Sequence, residues 1–151
     1  MLSLTNQHTL KEWCLDIVIN KNTGKRGKKV MIVEDDEDIL NLYNDYLSSR
    51  GYKVVSCTQR ANNIITNFEQ HEPDFCLIDH MVGSRGIGID TATKILEKRP
   101  LTPILFITGY ESMISELPKH HELDGKNIRV LMKPVRLSEI EHSILNMLNN
   151  Q

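Results

Sequence analysis

The sequence predicts an α/β fold, a doubly wound parallel sheet of five strands with five helices packed over its two faces. Three observations predict it. From residue 30 onward five short apolar runs recur, each followed by a segment with apolar residues at helical spacing. Most of the runs lack strict alternation, which is how a strand buried on both faces reads. The strand–helix order then repeats without a break, and parallel strands need crossover helices that cover the sheet.

The five runs are Val30–Val33, Val54–Cys57, Phe75–Ile78, Ile104–Ile107 and Ile128–Met132. Between the first two, Ile39, Tyr43, Tyr46 and Leu47 share a helical face, and Gly51 supplies a C-terminal stop. Ala61, Ile64, Ile65 and Phe68 form the second stripe, which ends before Pro73. Ala92, Ile95 and Leu96 form the third, ended at Pro100. Met113, Ile114 and Leu117 form a short fourth, ended at Pro118. Leu137, Ile140, Ile144 and Leu148 form the fifth.

Composition bounds the function. The 151 residues are 40% hydrophobic and 25% charged, which excludes a disordered or collagen-like chain. That length predicts one domain with one core and no room for a second large module. No apolar stretch approaches the roughly 18–20 residues of a membrane span. Met1–Asn20 contains Lys11, Glu12 and Asp16 and no apolar signal core. Cys14, Cys57 and Cys76 form no CxxC pair, and their odd number points to a reducing cytoplasm. Cys57 and Cys76, in apolar strands, are read as inert core thiols.

The net charge of −2 hides two unlike parts. Residues 1–29 hold six basic and two acidic side chains, whereas residues 30–151 hold 12 basic and 18 acidic. An acidic body argues against nucleic acid as the main partner, because phosphate contacts need Lys and Arg on one face. Residues 1–29 are expected to be a separate extension, and 30–151 the folded domain. In the extension, Leu10, Trp13, Cys14, Ile17 and Val18 recur at amphipathic helical spacing, and Asn20–Lys29 reads as a basic linker. Two roles stand for that helix, a docking or dimerising element and an extension packed on its own domain.

In an open parallel sheet, ligands sit beyond the carboxyl ends of the strands, where the strand order reverses. Glu34 and Asp35 follow the first run, Asp79 the third, Thr108 the fourth and Lys133 the fifth. Each taken alone has an ordinary explanation. Glu34–Asp38 suits a helix start, Thr108–Gly109 a turn, and Lys133–Pro134 a strand exit. Together they bring carboxylates, a hydroxyl and an amine to one rim. Crowded carboxylates repel, by about 1 kcal/mol in water and more where partly buried, and call for a hard cation. Mg²⁺, or Mn²⁺, held by Glu34, Asp35 and Asp79 would leave positions for phosphoryl oxygens. Asp79 could then attack phosphorus to give an acyl phosphate, with Lys133 and Thr108 on the remaining oxygens. His80, His120 and His121 match no zinc spacing and are read as neutral surface histidines.

At this point the chain resembles a known family. VMIVEDDEDIL (30–40), DFCLIDHM (74–81), ILFITGY (104–110) and VLMKPV (130–135) are similar to the motifs of response regulator receiver domains of two-component systems. The resemblance implies a flavodoxin-like sheet in the order 2-1-3-4-5. It implies that Asp79 accepts phosphate from a histidine kinase, a phosphotransfer protein or a small phosphodonor. Glu34 and Asp35 would be the acidic metal pair, with Met81 lending its backbone carbonyl. Thr108 would be the switch hydroxyl, and Lys133, ahead of a cis proline, the phosphate-sensing amine. Such a module is no enzyme beyond its own phosphorylation and dephosphorylation. It would signal by docking on a downstream protein, with a homodimer left open.

The sequence departs from the family in places. Gly88, the best match to the glycine after the phosphoacceptor, comes one residue late, implying a longer loop. Val130 stands where an aromatic residue usually couples to the switch threonine. Met81 and Tyr110 are bulky enough to shield a phosphoryl group from water. Pro118–Asn127 is long and polar and implies a remodelled fourth-helix face. The altered loop after Asp79 and the missing aromatic at Val130 motivate an alternative, a degenerate receiver that binds partners without phosphorylation. A flavodoxin-like cofactor site is disfavoured by Glu34–Asp36 where a phosphate loop would lie, and a phosphatase by the lack of a second aspartate in Asp79-His80-Met81.

Overall fold

The structure, a computed structural model, describes residues 27–57, 61–80 and 87–150. The expected helix within residues 8–19, Cys14 and the Met81 carbonyl lie outside the described residues. Strands β1 (Lys29–Val33), β2 (Lys53–Cys57), β3 (Phe75–Asp79), β4 (Ile104–Thr108) and β5 (Ile128–Met132) form one sheet in the order β2-β1-β3-β4-β5, and every pair is parallel. Helices α1 (Glu37–Ser49), α2 (Ala61–His71), α3 (Gly88–Lys98), α4 (Ser112–Glu116) and α5 (Leu137–Asn149) alternate with them. Among the described residues no helix is long and apolar enough to cross a membrane.

Alternation along each strand divides the core in two. Met31, Val33, Cys76, Ile78, Ile104 and Phe106 meet α2, α3 and Met113 of α4 on one face. Val30, Ile32, Phe75, Leu77, Leu105 and Ile107 meet α1 and α5 on the other. The central strands β3 and β4 are buried at every position, whereas the edge strand β5 is only half buried. Cys76 is a buried core thiol, as its setting suggested.

Local chemistry sets where the helices begin and end. Asp36 caps α1, its Oδ1 accepting the N–H groups of Asp38 (3.0 Å) and Ile39 (3.1 Å), and Glu37 and Asp38 complement the first turn. Past its end, Gly51 takes φ +93°, a conformation that costs glycine little. The buried face of α1 is Leu40, Tyr43 and Leu47, with Ile39 and Tyr46 at its margin, a small rotation from the expected stripe. The fourth stripe departs more. The helix α4 is only five residues long and continues as 3₁₀ turns at Leu117–Lys119 and His121–Leu123, so Met113 is buried while Ile114 stays 54% exposed.

A buried carboxylate ties α1 to α5. Glu141 accepts from Tyr46 Oη at 3.0 Å and from Arg50 Nε at 3.0 and 2.9 Å. Glu141 is buried, while Arg50 is half exposed. Arg50→Met removes the guanidinium from that carboxylate and is expected to cost about 1–2 kcal/mol, more than an ordinary surface change. Urea midpoints of the two proteins would measure it, and no difference would show that the contact adds nothing.

Candidate functional site

The residues singled out at the strand ends meet at the carboxyl pole of the sheet. Asp79 closes β3 and Thr108 closes β4, while Glu34 and Lys133 are the first residues beyond β1 and β5. β1 and β3 are neighbours although α1, β2 and α2 separate them in the chain, so the switch point lies between Glu34 and Asp79. The β4–β5 ladder continues past its last pair, the Lys133 N–H reaching the Thr108 carbonyl at 2.8 Å. The Lys133–Pro134 bond is cis.

Lys133 Nζ lies 2.6 Å from Asp79 Oδ2 and 3.9 Å from Glu34 Oε2, a charge-assisted hydrogen bond to the first and a longer ion pair to the second. Glu34 is 2% exposed. Its Oε1 accepts the Asp36 N–H at 3.0 Å, and its Oε2 is buried with no hydrogen-bond partner. Burial is the main force pushing the Glu34 carboxyl up, to about 7, and the Asp79 carboxylate adds to it. The Asp36 N–H and the Lys133 charge oppose that rise. Burial alone would lower Lys133. The hydrogen bond and charge of Asp79, joined by Glu34, outweigh it and hold the ammonium above its ordinary value.

Thr108 is fully buried, and its Oγ1 accepts the Tyr110 N–H at 3.1 Å, which leaves the hydroxyl its own proton to donate. Tyr110 itself is 52% exposed beside it. Asp35 is half buried next to Glu34. Among the described residues no three His, Cys, Asp or Glu side chains gather tightly enough to hold a metal alone. The donors present are carboxylate oxygens, one of them buried without a hydrogen-bond partner, and that set suits a small hard cation that shares its shell with water and phosphoryl oxygens.

Two neighbours were not legible as part of this site. Tyr43, expected only as core, is buried on α1 and lies where the charges of Lys133, Glu34 and Asp79 act on its phenol, although burial is the main force raising it. His80, expected at the surface, is instead buried, with Nδ1 unpartnered. It sits one residue past β3, its N–H 3.4 Å from the Ile107 carbonyl and its own carbonyl accepting the Gly88 N–H at 3.2 Å. His121 is exposed as expected and His120 is half-buried, each beside a carboxylate.

Gly88 is required by that contact. A Cβ there would lie 2.7 Å from His80 Cα, a backbone atom that cannot turn aside. Gly88→Ala is expected to cost about 1–3 kcal/mol through the forced shift of the segment that follows Asp79. Urea denaturation measures it, and a neutral effect would mean that the two segments separate freely. Val130 pairs in register with Phe106 and is half buried, so the place of the missing aromatic is filled by an aliphatic side chain.

Known proteins resemble both this fold and this sequence. The curated response regulator receiver protein CpdR of Brucella abortus (strain 2308) is 29% identical over 123 residues, 80% of this chain and 97% of CpdR. Among solved structures, the CheY-like response regulator receiver domain protein of Methanospirillum hungatei JF-1 superposes with a TM-score of 0.71 at 24% identity, over 82% of this chain and 95% of that one. The response regulator PhyR of Brucella abortus gives 0.69 at 20% identity over 93% of this chain. The match spans only 56% of PhyR, and at such identities both superpositions speak to fold alone. A sequence profile of the response regulator receiver domain matches residues 30–145, most of the chain and all five strands. The chain belongs to the response regulator receiver domain family.

Proposed function

We propose that the chain is a phosphorylatable receiver of a two-component system or phosphorelay, with residues 1–29 as an extension and 30–151 as the receiver. Asp79 is the phosphoacceptor. Glu34, Asp35, Asp79 and the main-chain carbonyl of Met81 would hold Mg²⁺ or Mn²⁺. When bound, that cation offsets the negative charge of the carboxylates and of the incoming phosphoryl oxygens.

The chain's own groups do the rest. An Asp79 oxygen forms the new bond to phosphorus as the bond to the donor, a phosphohistidine or a small phosphodonor, breaks with its electron pair leaving on the donor. Lys133 transfers its ammonium contact from Asp79 to a phosphoryl oxygen, and the Thr108 hydroxyl donates to another. Movement of Thr108 toward the phosphoryl group would bias a two-state surface that docks on a downstream protein. The chemistry asks for no nucleic acid and no membrane, and the setting we infer is cytoplasmic.

The single observation that carries this reading is the Lys133–Asp79 contact beside a buried Glu34 oxygen that has no hydrogen-bond partner, at the sheet's switch point. Incubation with a small phosphodonor tests it. Wild type is expected to take up one phosphoryl group in millimolar Mg²⁺ and none in chelator, and Asp79→Asn none in either. Labelling that persists in Asp79→Asn would overturn the assignment. No labelling and no Mg²⁺ binding in wild type would favour the degenerate receiver, for which Val130 is the motivating residue.

A further inference from the structure

The His80 imidazole is 5% exposed, and its Nδ1 is closed to water without a hydrogen-bond partner. A buried polar atom in that condition favours any state of the molecule in which a partner reaches it.

The sheet sets a donor beside it. Ile78 pairs with Phe106 and Asp79 with Ile107, and the ladder runs on through the His80 N–H to the Ile107 carbonyl at 3.4 Å. The next step of that register places His80 alongside Thr108. Alternation puts both side chains on the face of Ile78 and Phe106, which α3 and Met113 cover, and Asp79 on the other face. Gly88, the first residue of α3, marks the same side, since a Cβ there would lie 3.2 Å from His80 Nδ1. Thr108 is fully buried as well. Its Oγ1 accepts the Tyr110 N–H, and its own proton goes to no acceptor among the described residues. A buried acceptor without a donor and a buried donor without an acceptor therefore stand on neighbouring strands. Such strands lie about 4.8 Å apart, and rotation about χ1 brings side chains in register together. Val130, beside Phe106 on the same face, is aliphatic and offers Thr108 no polar partner.

Given that Thr108 is the hydroxyl that meets the phosphoryl group, a reading on which this rests, we propose that His80 is a positioning residue for it. In the unphosphorylated chain His80 Nδ1 accepts the Thr108 hydroxyl. When Asp79 is phosphorylated, the hydroxyl leaves Nδ1 and donates to a phosphoryl oxygen. No proton is gained or lost, because one acceptor replaces another. His80 then restrains the hydroxyl, and phosphoryl transfer has to break that bond.

Phosphodonor labelling in millimolar Mg²⁺ tests this. His80→Phe keeps a ring and removes the acceptor, and is expected to label about three- to tenfold faster, the rate equivalent of one net hydrogen bond. His80→Asn sets its Oδ1 near the place of Nδ1 and is expected to return the rate to that of wild type. In a Thr108→Ala background His80→Phe is expected to change nothing, which a mere loss of packing would not produce. Unchanged or slower labelling in His80→Phe would overturn the proposal. So would a failure of His80→Asn to return the rate, or an acceleration that persists in Thr108→Ala. Imidazole ¹⁵N spectra at mildly alkaline pH give a reading that needs no labelling. Wild type is expected to carry its ring proton on Nε2, with an Nδ1 resonance that moves in Thr108→Val. A proton on Nδ1, or an Nδ1 resonance indifferent to Thr108→Val, would overturn the proposal. If wild type takes up no phosphoryl group, the spectra alone decide whether His80 and Thr108 pair, so the two proposals fail separately.

Discussion

Lys133→Met is expected to slow phosphodonor labelling by about a hundredfold, the scale of losing one preorganised electrostatic contact to a transferring group. It is also expected to destabilise the metal-free protein by about 2–3 kcal/mol at mildly alkaline pH. The reason lies in what the ammonium holds apart. It is 2.6 Å from Asp79 and 3.9 Å from Glu34, and Glu34 is almost wholly buried. Removing one partner of a buried ion pair typically costs about 3–5 kcal/mol, and the 29% exposure of the Lys133 side chain argues for less. The loss should shrink below neutrality, because Glu34 can take up a proton and relieve the repulsion. Millimolar Mg²⁺ should restore part of it at high pH. Urea titrations with and without Mg²⁺ would show this. An unchanged midpoint would mean that the carboxylates do not share the ammonium.

Glu34 itself gives the second large effect. Its carboxyl is raised from 4.5 to about 7 by burial, so the folded protein keeps a proton that the unfolded chain releases. The unfolded state therefore binds fewer protons between those values, and metal-free stability falls as pH rises from about 4.5 through about 7. At 1.4 kcal/mol per unit the full difference is about 3 kcal/mol. Glu34→Gln should flatten that part of the pH profile. Cation binding has the opposite slope, since the proton competes with the metal. Mg²⁺ affinity is expected to fall about tenfold for each pH unit below 7. Isothermal titration across that range measures it, and a pH-independent affinity would exclude Glu34 from the binding set.

Much of the fold was legible because burial leaves a direct mark on sequence. Five apolar runs and five helical stripes are the signature of strands covered on both faces, and Asp36 and Gly51 read correctly as local punctuation. The placement of the polar rim followed, because Glu34, Asp79, Thr108 and Lys133 stand at the ends of strands whose direction is shared. What sequence could not supply depends on distance between elements. The Tyr46–Arg50–Glu141 contact joins residues 91 or more positions apart. His80 follows a strand and has no periodicity to report its burial. Ile114 fits a stripe by spacing, yet a five-residue helix buries only Met113. The raised carboxyl of Glu34 reflects an enclosure that no spacing rule expresses.

The most direct measurement locates the phosphoryl group. Wild-type protein labelled with a small phosphodonor in Mg²⁺ can be reduced with borohydride, which converts an aspartyl phosphate to homoserine, and then digested for peptide mass analysis. A homoserine at position 79 alone, absent without Mg²⁺, is the expected result. Modification at any other carboxylate, Glu34 or Asp35 included, or an unmodified position 79 after confirmed labelling, would contradict the assignment of Asp79 as phosphoacceptor.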